Sequence, residues 1–305
     1  MKIFFLLNPT RVKNRWDWRE VAAQHAKRNG WIPRFAEVDR SLPHSTERCL
    51  EQAFEEDCSR IVVVGGDGSL HRAINAVAQM KKLKTCELAV VPAGTCNDFA
   101  RLLGLRRKRI EEAFRLACSG KAQATDLGVM DKELFLNNAG FGRRPDGSPE
   151  ASGTGNPYTQ GVSGRPPPPG KRTKPLQALR GFRPHYLKAS WDKGSIEGSF
   201  YMGLVCNGPF FSGGLHFSKH VDVHDDLLDF YLIPAMSKWK LLPVLALGRL
   251  GRPTRVKRLL ALRVPRLEIE TDMDLWPQAD GEPPSKATRR VSFSVSPEKA
   301  MIVAP

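Results

Sequence analysis

The chain has 305 residues, with 47 Lys and Arg against 32 Asp and Glu, for a formal net charge of +15. This length can bury a sizeable core and supports two domains, and 41% hydrophobic with 26% charged residues excludes a disordered or fibrous chain. No apolar run approaches the roughly 20 residues of a membrane span, and the cysteines (Cys49, Cys58, Cys86, Cys96, Cys118, Cys206) are scattered without metal-ligand spacing, which suits a reduced, cytoplasmic setting.

Taken in chain order, Lys2–Leu7 is too short for a secretory signal and reads as a first strand running into Asn8-Pro9. Apolar spacing predicts a helix over Asp17–Asn29, a strand over Arg34–Val38, a helix over Ser45–Glu56 and a strand over Arg60–Val64. The β-branched run Ile61-Val62-Val63-Val64 reads as a strand buried on both faces, and it enters Gly65-Gly66-Asp67-Gly68-Ser69. Those glycines remove side chains where a polyphosphate would approach the backbone and permit φ > 0. Free backbone N–H groups in such a loop form an anion nest. Ser69 is placed to cap a helix over Ser69–Met80, whose positive end faces the same anion. Asp67 does not suit a pure anion site. It fits either holding Mg2+ between phosphates or orienting an acceptor hydroxyl; a simple helix cap is the bland alternative.

A second loop repeats the pattern. The strand Glu87–Val91 turns through Pro92-Ala93-Gly94-Thr95-Cys96, and Asn97-Asp98 then open a short helix that Gly104 stops. Thr95 and Asn97 offer neutral partners to a ribose or phosphate, and Asp98 adds a carboxylate, although Asn97 and Asp98 also suit caps. A helix over Ile110–Cys118 completes an α/β alternation that predicts a parallel-sheet domain over residues 1–125.

After Asp126 the helices thin out. Glu133–Asn138, Tyr186–Trp191, Ser199–Cys206, Leu228–Ile233, Arg266–Glu270 and Arg290–Val295 read as strands of an all-β antiparallel sandwich over 126–295. Residues 296–305 are free to return to the first domain. Residues 143–175 hold eight prolines and six glycines, too little apolar surface to fold, and read as a flexible loop. Leu241–Leu262 reads as a helical insertion broken by Gly251 and Pro253. From Phe230 to Leu267 nine basic residues stand with no acidic one, interleaved with Trp239 and leucines. That mixture suits an anionic membrane surface, and less well nucleic acid; the bland reading is a solvated helix face.

Together the two loops, Gly65-Gly66-Asp67-Gly68-Ser69 and Gly94-Thr95-Cys96-Asn97-Asp98-Phe99-Ala100-Arg101, resemble the diacylglycerol kinase catalytic domain, in its bacterial soluble lipid kinase form. Asn8-Pro9, Thr125-Asp126-Leu127-Gly128, Phe135-Leu136-Asn137-Asn138-Ala139-Gly140-Phe141-Gly142, Gly213-Gly214-Leu215, Asp225-Asp226-Leu227-Leu228-Asp229 and Asp280-Gly281-Glu282 match in order over nearly the whole chain. The resemblance implies a fold related to the NAD kinases and ATP-dependent phosphorylation of a lipid hydroxyl with Mg2+. It places Asn8, Pro9, Asp39, Gly65, Gly66, Asp67, Gly68, Ser69, Thr95, Asn97 and Asp98 around ATP. It makes Glu282 the proton acceptor, with Asp280 and Asp67 as catalytic partners, and it implies a structural magnesium site at Asp222, Asp225 and Leu227, held by the Asp225 side chain and by backbone carbonyls near Asp222 and Leu227. An extended 280–282 segment would point both carboxylates to one side. The partner implied is a lipid at an anionic membrane surface, met peripherally from the cytoplasm; a homodimer stays open. Ser69 stands where threonine is usual, and Asp225-Asp226 where Asp-Gly is usual. Two other readings stand beside it: an NAD kinase-like small-molecule kinase, and a nucleotide-binding regulator without catalysis.

Overall fold

The computed structural model describes residues 1–9, 15–39, 41–142, 184–211, 215–216, 221–237, 239–240, 259–282 and 287–305. They divide into two compact units, Met1–Leu127 with Pro297–Pro305, and Gly128–Ser296.

The first unit alternates β1 (Lys2–Leu7), α1 (Arg15–Arg28), β2 (Ile32–Glu37), α2 (Ser45–Glu55), β3 (Cys58–Gly65), α3 (Asp67–Gln79) and β4 (Glu87–Pro92), then α4 (Asp98–Leu102), α5 (Ile110–Ser119) and β5 (Lys121–Thr125). Its described strands form one sheet in the order β2-β1-β3-β4-β18-β5, where β18 (Ala300–Ala304) is parallel to β4 and antiparallel to β5. The central strands are nearly continuous apolar runs because helices cover both faces. Phe4, Phe5, Ile61, Val62 and Leu88 have no exposed surface. The helices bury one stripe each, as in Ala113, Phe114, Ala117 and Cys118 of α5. One buried cation ties this unit together. Arg60 Nε lies 2.7 Å from Glu87 Oε2, and its terminal nitrogens donate to the carbonyls of Ala117 at 2.9 Å and Gly120 at 3.1 Å. The guanidinium also lies 4.8 Å from the Trp31 ring centroid. It thereby satisfies carbonyls left over at the C-terminus of α5.

The second unit comprises β6 (Gly128–Met130), β7 (Glu133–Phe135), β8 (Asn138–Gly142), β9 (His185–Trp191), β10 (Gly194–Cys206), β11 (Phe210–Phe211), β12 (Leu215–His216), β13 (Leu228–Pro234), β14 (Leu260–Val264), β15 (Arg266–Leu275), β16 (Gln278–Ala279) and β17 (Thr288–Val295). Its main sheet runs β14-β13-β10-β9-β15-β17-β6-β7, with β8 joining β10 to β16. All pairings in it are antiparallel. The long β10 turns the corner between the layers. Its first half pairs with β9, its second half with β8, and its register against β13 shifts between Phe200 and Met202. The burial of β10 changes at the same place, from mostly exposed to wholly buried. Phe293 sits at the centre of the core, with Phe141 at 6.4 Å and Phe230 at 6.2 Å between ring centroids. The fold is therefore a parallel-sheet α/β unit followed by an antiparallel β-sandwich, as the element pattern predicts.

Three local expectations need correction. The strand expected over Glu133–Asn138 is broken into β7 and β8, because Leu136 and Asn137 give their N–H groups to a side chain instead of a neighbouring strand. Leu260–Leu262, expected at the end of a helix, lie in β14 and pair with β13. Helix α3 starts at Asp67 and not at Ser69, with Gly66 as its N-cap and no side-chain cap. The 143–175 loop and residues 241–258 of the expected insertion lie outside the described residues. Among the described residues no helix is long and apolar enough to cross a membrane.

Candidate functional site

In the first unit, the strand order β2-β1-β3 reverses the chain's direction of travel between β1 and β3. Ligands of open α/β sheets bind beyond the carboxyl ends of the strands at such a point. Both loops that the sequence singles out emerge beside it. Asn8 follows β1 and is 3% exposed; its backbone N–H donates to Val64 O at 3.1 Å. Its side-chain Nδ2 donates to Ser69 Oγ at 2.8 Å. Ser69 thus anchors Asn8 and does not cap α3. Together with Leu6, Val38, Thr46 and Arg72, these two residues line a small cleft. Thr46 and Arg72 escaped the sequence reading, although Arg72 stands three residues after Ser69 and so shares its helix face.

The two glycine loops interlock. Gly65 O accepts the N–H groups of Ala93 at 2.7 Å and Gly94 at 3.2 Å. A Cβ on Gly66 would sit 2.8 Å from Gly94 Cα, so neither loop admits a side chain there. Among the described residues the glycines with positive φ are Gly30, Gly104 and Gly281. Gly65 and Gly66 are therefore needed for close approach, and none of Gly65, Gly66 and Gly68 for a left-handed backbone, which corrects the sequence expectation. Asp67 Oδ1 accepts the Phe99 N–H at 3.2 Å, so the first turn of α3 also holds the first turn of α4.

Asn97 is buried, with its backbone in the left-handed region at φ 53°. Its Oδ1 accepts Gly94 N–H at 2.8 Å and its Nδ2 donates to Gly94 O at 2.9 Å. The amide closes the second loop from inside. Asp98 is also buried, 3.8 Å from Arg101 Nε, whereas Thr95 is exposed at the loop's tip. Gly104 (φ 72°) and Leu105 end α4 by donating to Arg101 O and Ala100 O. Asp39 lies in an exposed turn where its carboxylate accepts both the hydroxyl and the N–H of Ser41, at 2.6 and 2.9 Å. Those bonds hold its pKa below the ordinary carboxylate value.

In the second unit, residues 279–282 form a tight turn and not an extended segment. Asp280 and Gly281 have φ of 49° and 89°, and Ala279 and Glu282 exchange backbone hydrogen bonds at 3.1 and 2.9 Å. The expectation that Asp280 and Glu282 share one side by strand alternation is therefore wrong. Asp280 Oδ2 accepts Leu136 N–H at 2.8 Å, and Oδ1 accepts those of Asn137 at 2.8 Å and Asn138 at 3.1 Å. Asn207 binds the same loop, its Nδ2 donating to Leu136 O at 2.7 Å and its N–H to Asn137 O at 2.9 Å. Asp280 anchors the Leu136–Asn138 loop, and Glu282 is presented at the end of the turn that Asp280 fixes.

At the implied magnesium site, Asp222 Oδ1 accepts His224 N–H at 3.1 Å and Asp225 Oδ1 accepts Leu227 N–H at 2.9 Å. Asp225 Oδ2 is taken by the Arg263 guanidinium. The hydrogen bond that Arg263 donates to Asp225, reinforced by the charges of Asp225, Asp229 and Asp222, raises the Arg263 pKa further. Both Asp225 oxygens are engaged, Oδ2 by a guanidinium whose positive charge opposes a cation on the same carboxylate, so the arrangement fits a cation poorly. Among the described residues no three His, Cys, Asp or Glu side chains are grouped to hold a metal.

Comparison with known proteins agrees with this architecture. Residues 2–130 match the diacylglycerol kinase catalytic domain, and residues 172–304 match the YegS C-terminal NAD kinase beta sandwich-like domain. A YegS-like probable lipid kinase of Pseudomonas aeruginosa is 32% identical, over 82% of this chain and 78% of its own. Another from Shewanella frigidimarina is 29% identical, over 85% and 80%. A diacylglycerol kinase of Bacillus subtilis is 23% identical, over 78% and 75%. The crystal structure of a diacylglycerol kinase from Bacillus anthracis superposes with a TM-score of 0.74 at 18% identity, covering 100% of this chain and 97% of that one. The chain belongs to the diacylglycerol kinase family, in the YegS-like form that joins its catalytic domain to an NAD kinase-like β-sandwich.

Proposed function

We propose that this protein transfers the γ-phosphoryl group of ATP to the hydroxyl of a diacylglycerol-like lipid at a membrane surface. The observation that carries this reading is the interlocked pair of glycine loops at the switch point of the first sheet, with Asn8, Ser69 and Arg72 lining the adjacent cleft. Donors and bare backbone at that edge suit a nucleotide's phosphates. Family membership supports a phosphotransferase, and the names of the relatives support a lipid acceptor.

Phosphoryl transfer asks a protein for positioning and charge neutralisation more than for covalent chemistry. The lipid oxygen forms a bond to the γ-phosphorus as the bond to the bridging β–γ oxygen breaks, and ADP leaves. Glu282 is the candidate to take the hydroxyl proton, since a carboxylate within hydrogen-bond reach serves as general base. Asp280 positions Glu282 through the turn it anchors. Asp67, at the mouth of the first loop, would hold the Mg2+ of Mg-ATP, which when bound neutralises charge on the phosphates. Exposed Trp239 beside Lys240 supports an interfacial face on the second unit.

The test is transfer of label from [γ-32P]ATP to lipids in mixed micelles, with wild type and Glu282→Gln in parallel. A labelled lipid that disappears in the variant is the expected result. Label appearing on NAD instead, or no product with any lipid, sinks the lipid reading.

A further inference from the structure

The loop Asp222–Leu227 and strand β14 converge on the guanidinium of Arg263. The β13–β14 register sets Asp229 directly opposite Arg263. From there the guanidinium reaches Asp225 in the loop that leads into β13. Asp226 follows in the left-handed region at φ 59°, which turns the chain so that Asp225 also receives the Leu227 N–H. Four carboxylates (Asp222, Asp225, Asp226, Asp229) thus lie within eight residues of sequence, with Arg263 set against them by the sheet.

We propose that Arg263 is the resident counter-charge of this loop, in the place where the family resemblance implies a divalent cation, so that the second unit folds without one. Magnesium demands an octahedral shell at about 2.0–2.1 Å, and calcium needs six to eight oxygens. Asp225 has one oxygen on the loop's own backbone and the other on a guanidinium, so a cation binding this carboxylate would meet the positive charge of Arg263 and have to displace it or be repelled by it. A guanidinium is the side chain best suited to hold that position, being planar, always charged and weakly hydrated. It is also covalently attached. An ion's contribution to stability falls with its free concentration, whereas that of Arg263 does not.

The experiment is thermal unfolding of the full chain without nucleotide, in EDTA and in excess MgCl2 or CaCl2, with ionic strength matched by KCl. Metal content of the purified protein is measured alongside. Because no nucleotide or lipid is present, the outcome is independent of the kinase reading. Wild type is expected to melt at the same temperature in all buffers and to carry well under one equivalent of divalent metal. Arg263→Gln is expected to melt about 1–3 °C lower in EDTA, the shift expected for losing one largely exposed ion pair in a unit of this size. Mg2+ or Ca2+ should raise it again, since Asp225 then has an oxygen to give. A wild-type melting temperature that drops in EDTA, or a full equivalent of bound divalent ion, overturns the proposal. So does an Arg263→Gln protein that melts like wild type in EDTA, or one that no divalent ion restores. If that variant does not fold, the wild-type measurements decide alone.

Discussion

Asp280 and Glu282 stand two residues apart, and the function proposed above gives them opposite duties. The Asp280 carboxylate accepts three backbone N–H groups of the Leu136–Asn138 loop, bonds of the charge-assisted kind. Asp280→Ala strands those donors in a part-buried place and should destabilise the second unit by about 3 kcal/mol or more. Glu282→Gln keeps size and backbone and should change stability by under about 0.5 kcal/mol while activity falls at least about a hundredfold, the loss typical for a general base. Chemical denaturation and turnover, measured on both variants, separate an anchor from a base. Equal stability loss in the two would show that Glu282 is also structural. In the sequence the two carboxylates look alike. Their difference arises because Asp280 has φ 49° and Gly281 φ 89°, so the turn aims one side chain inward.

At the scale of elements, the site depends on how closely β3-loop-α3 approaches β4-loop-α4. Gly65 O, the Asp67 carboxylate and the bare faces of Gly66 and Gly94 make that approach. Gly66→Ala pushes a methyl into Gly94 Cα and should weaken ATP binding about tenfold or more, at a stability cost of about 1–3 kcal/mol. Calorimetric titration with ATP checks it, and unchanged affinity would mean that the loops can part without harm. The strand-glycine-helix order was legible in the sequence because apolar runs and helical spacing are local. The reason for the glycines was not, since the contact they permit lies between loops far apart in sequence. The same holds for Asn97, which resembles a ligand-facing amide until Gly94 is seen to satisfy both its ends. Arg60 is a third instance. Arg60→Met should cost about 2–4 kcal/mol in urea unfolding, because Glu87 and two carbonyls at the end of α5 lose their donor. A loss under about 1 kcal/mol would show that water replaces it.

At the scale of the whole molecule, burial governs the thiols of both units. Desolvation raises the pKa of Cys86 to about 12 and of Cys118 to about 11, and raises those of Cys58 and Cys206 as well. A folded-state pKa above the unfolded value favours folding below the unfolded thiol range, and that contribution is lost as pH climbs toward the folded values. Stability should therefore decline from about pH 9 upward. At pH 8 the native protein should react with a thiol reagent only at half-exposed Cys49 and Cys96, and at all six cysteines once unfolded. Rapid native labelling of Cys86 or Cys206 would contradict the burial. The existence of an α/β unit followed by an antiparallel sandwich, and the positions of both glycine loops, followed from residue order alone, because hydrophobic period and turn chemistry are set by near neighbours. Pairing across distance was decided only in three dimensions. Strand β18 closes the first sheet between β4 and β5, the Asp280 turn clasps the Leu136–Asn138 loop, and Arg263 meets Asp225. Each joins residues that no local pattern links, and each is selected by the burial and hydrogen-bond satisfaction of the folded chain as a whole.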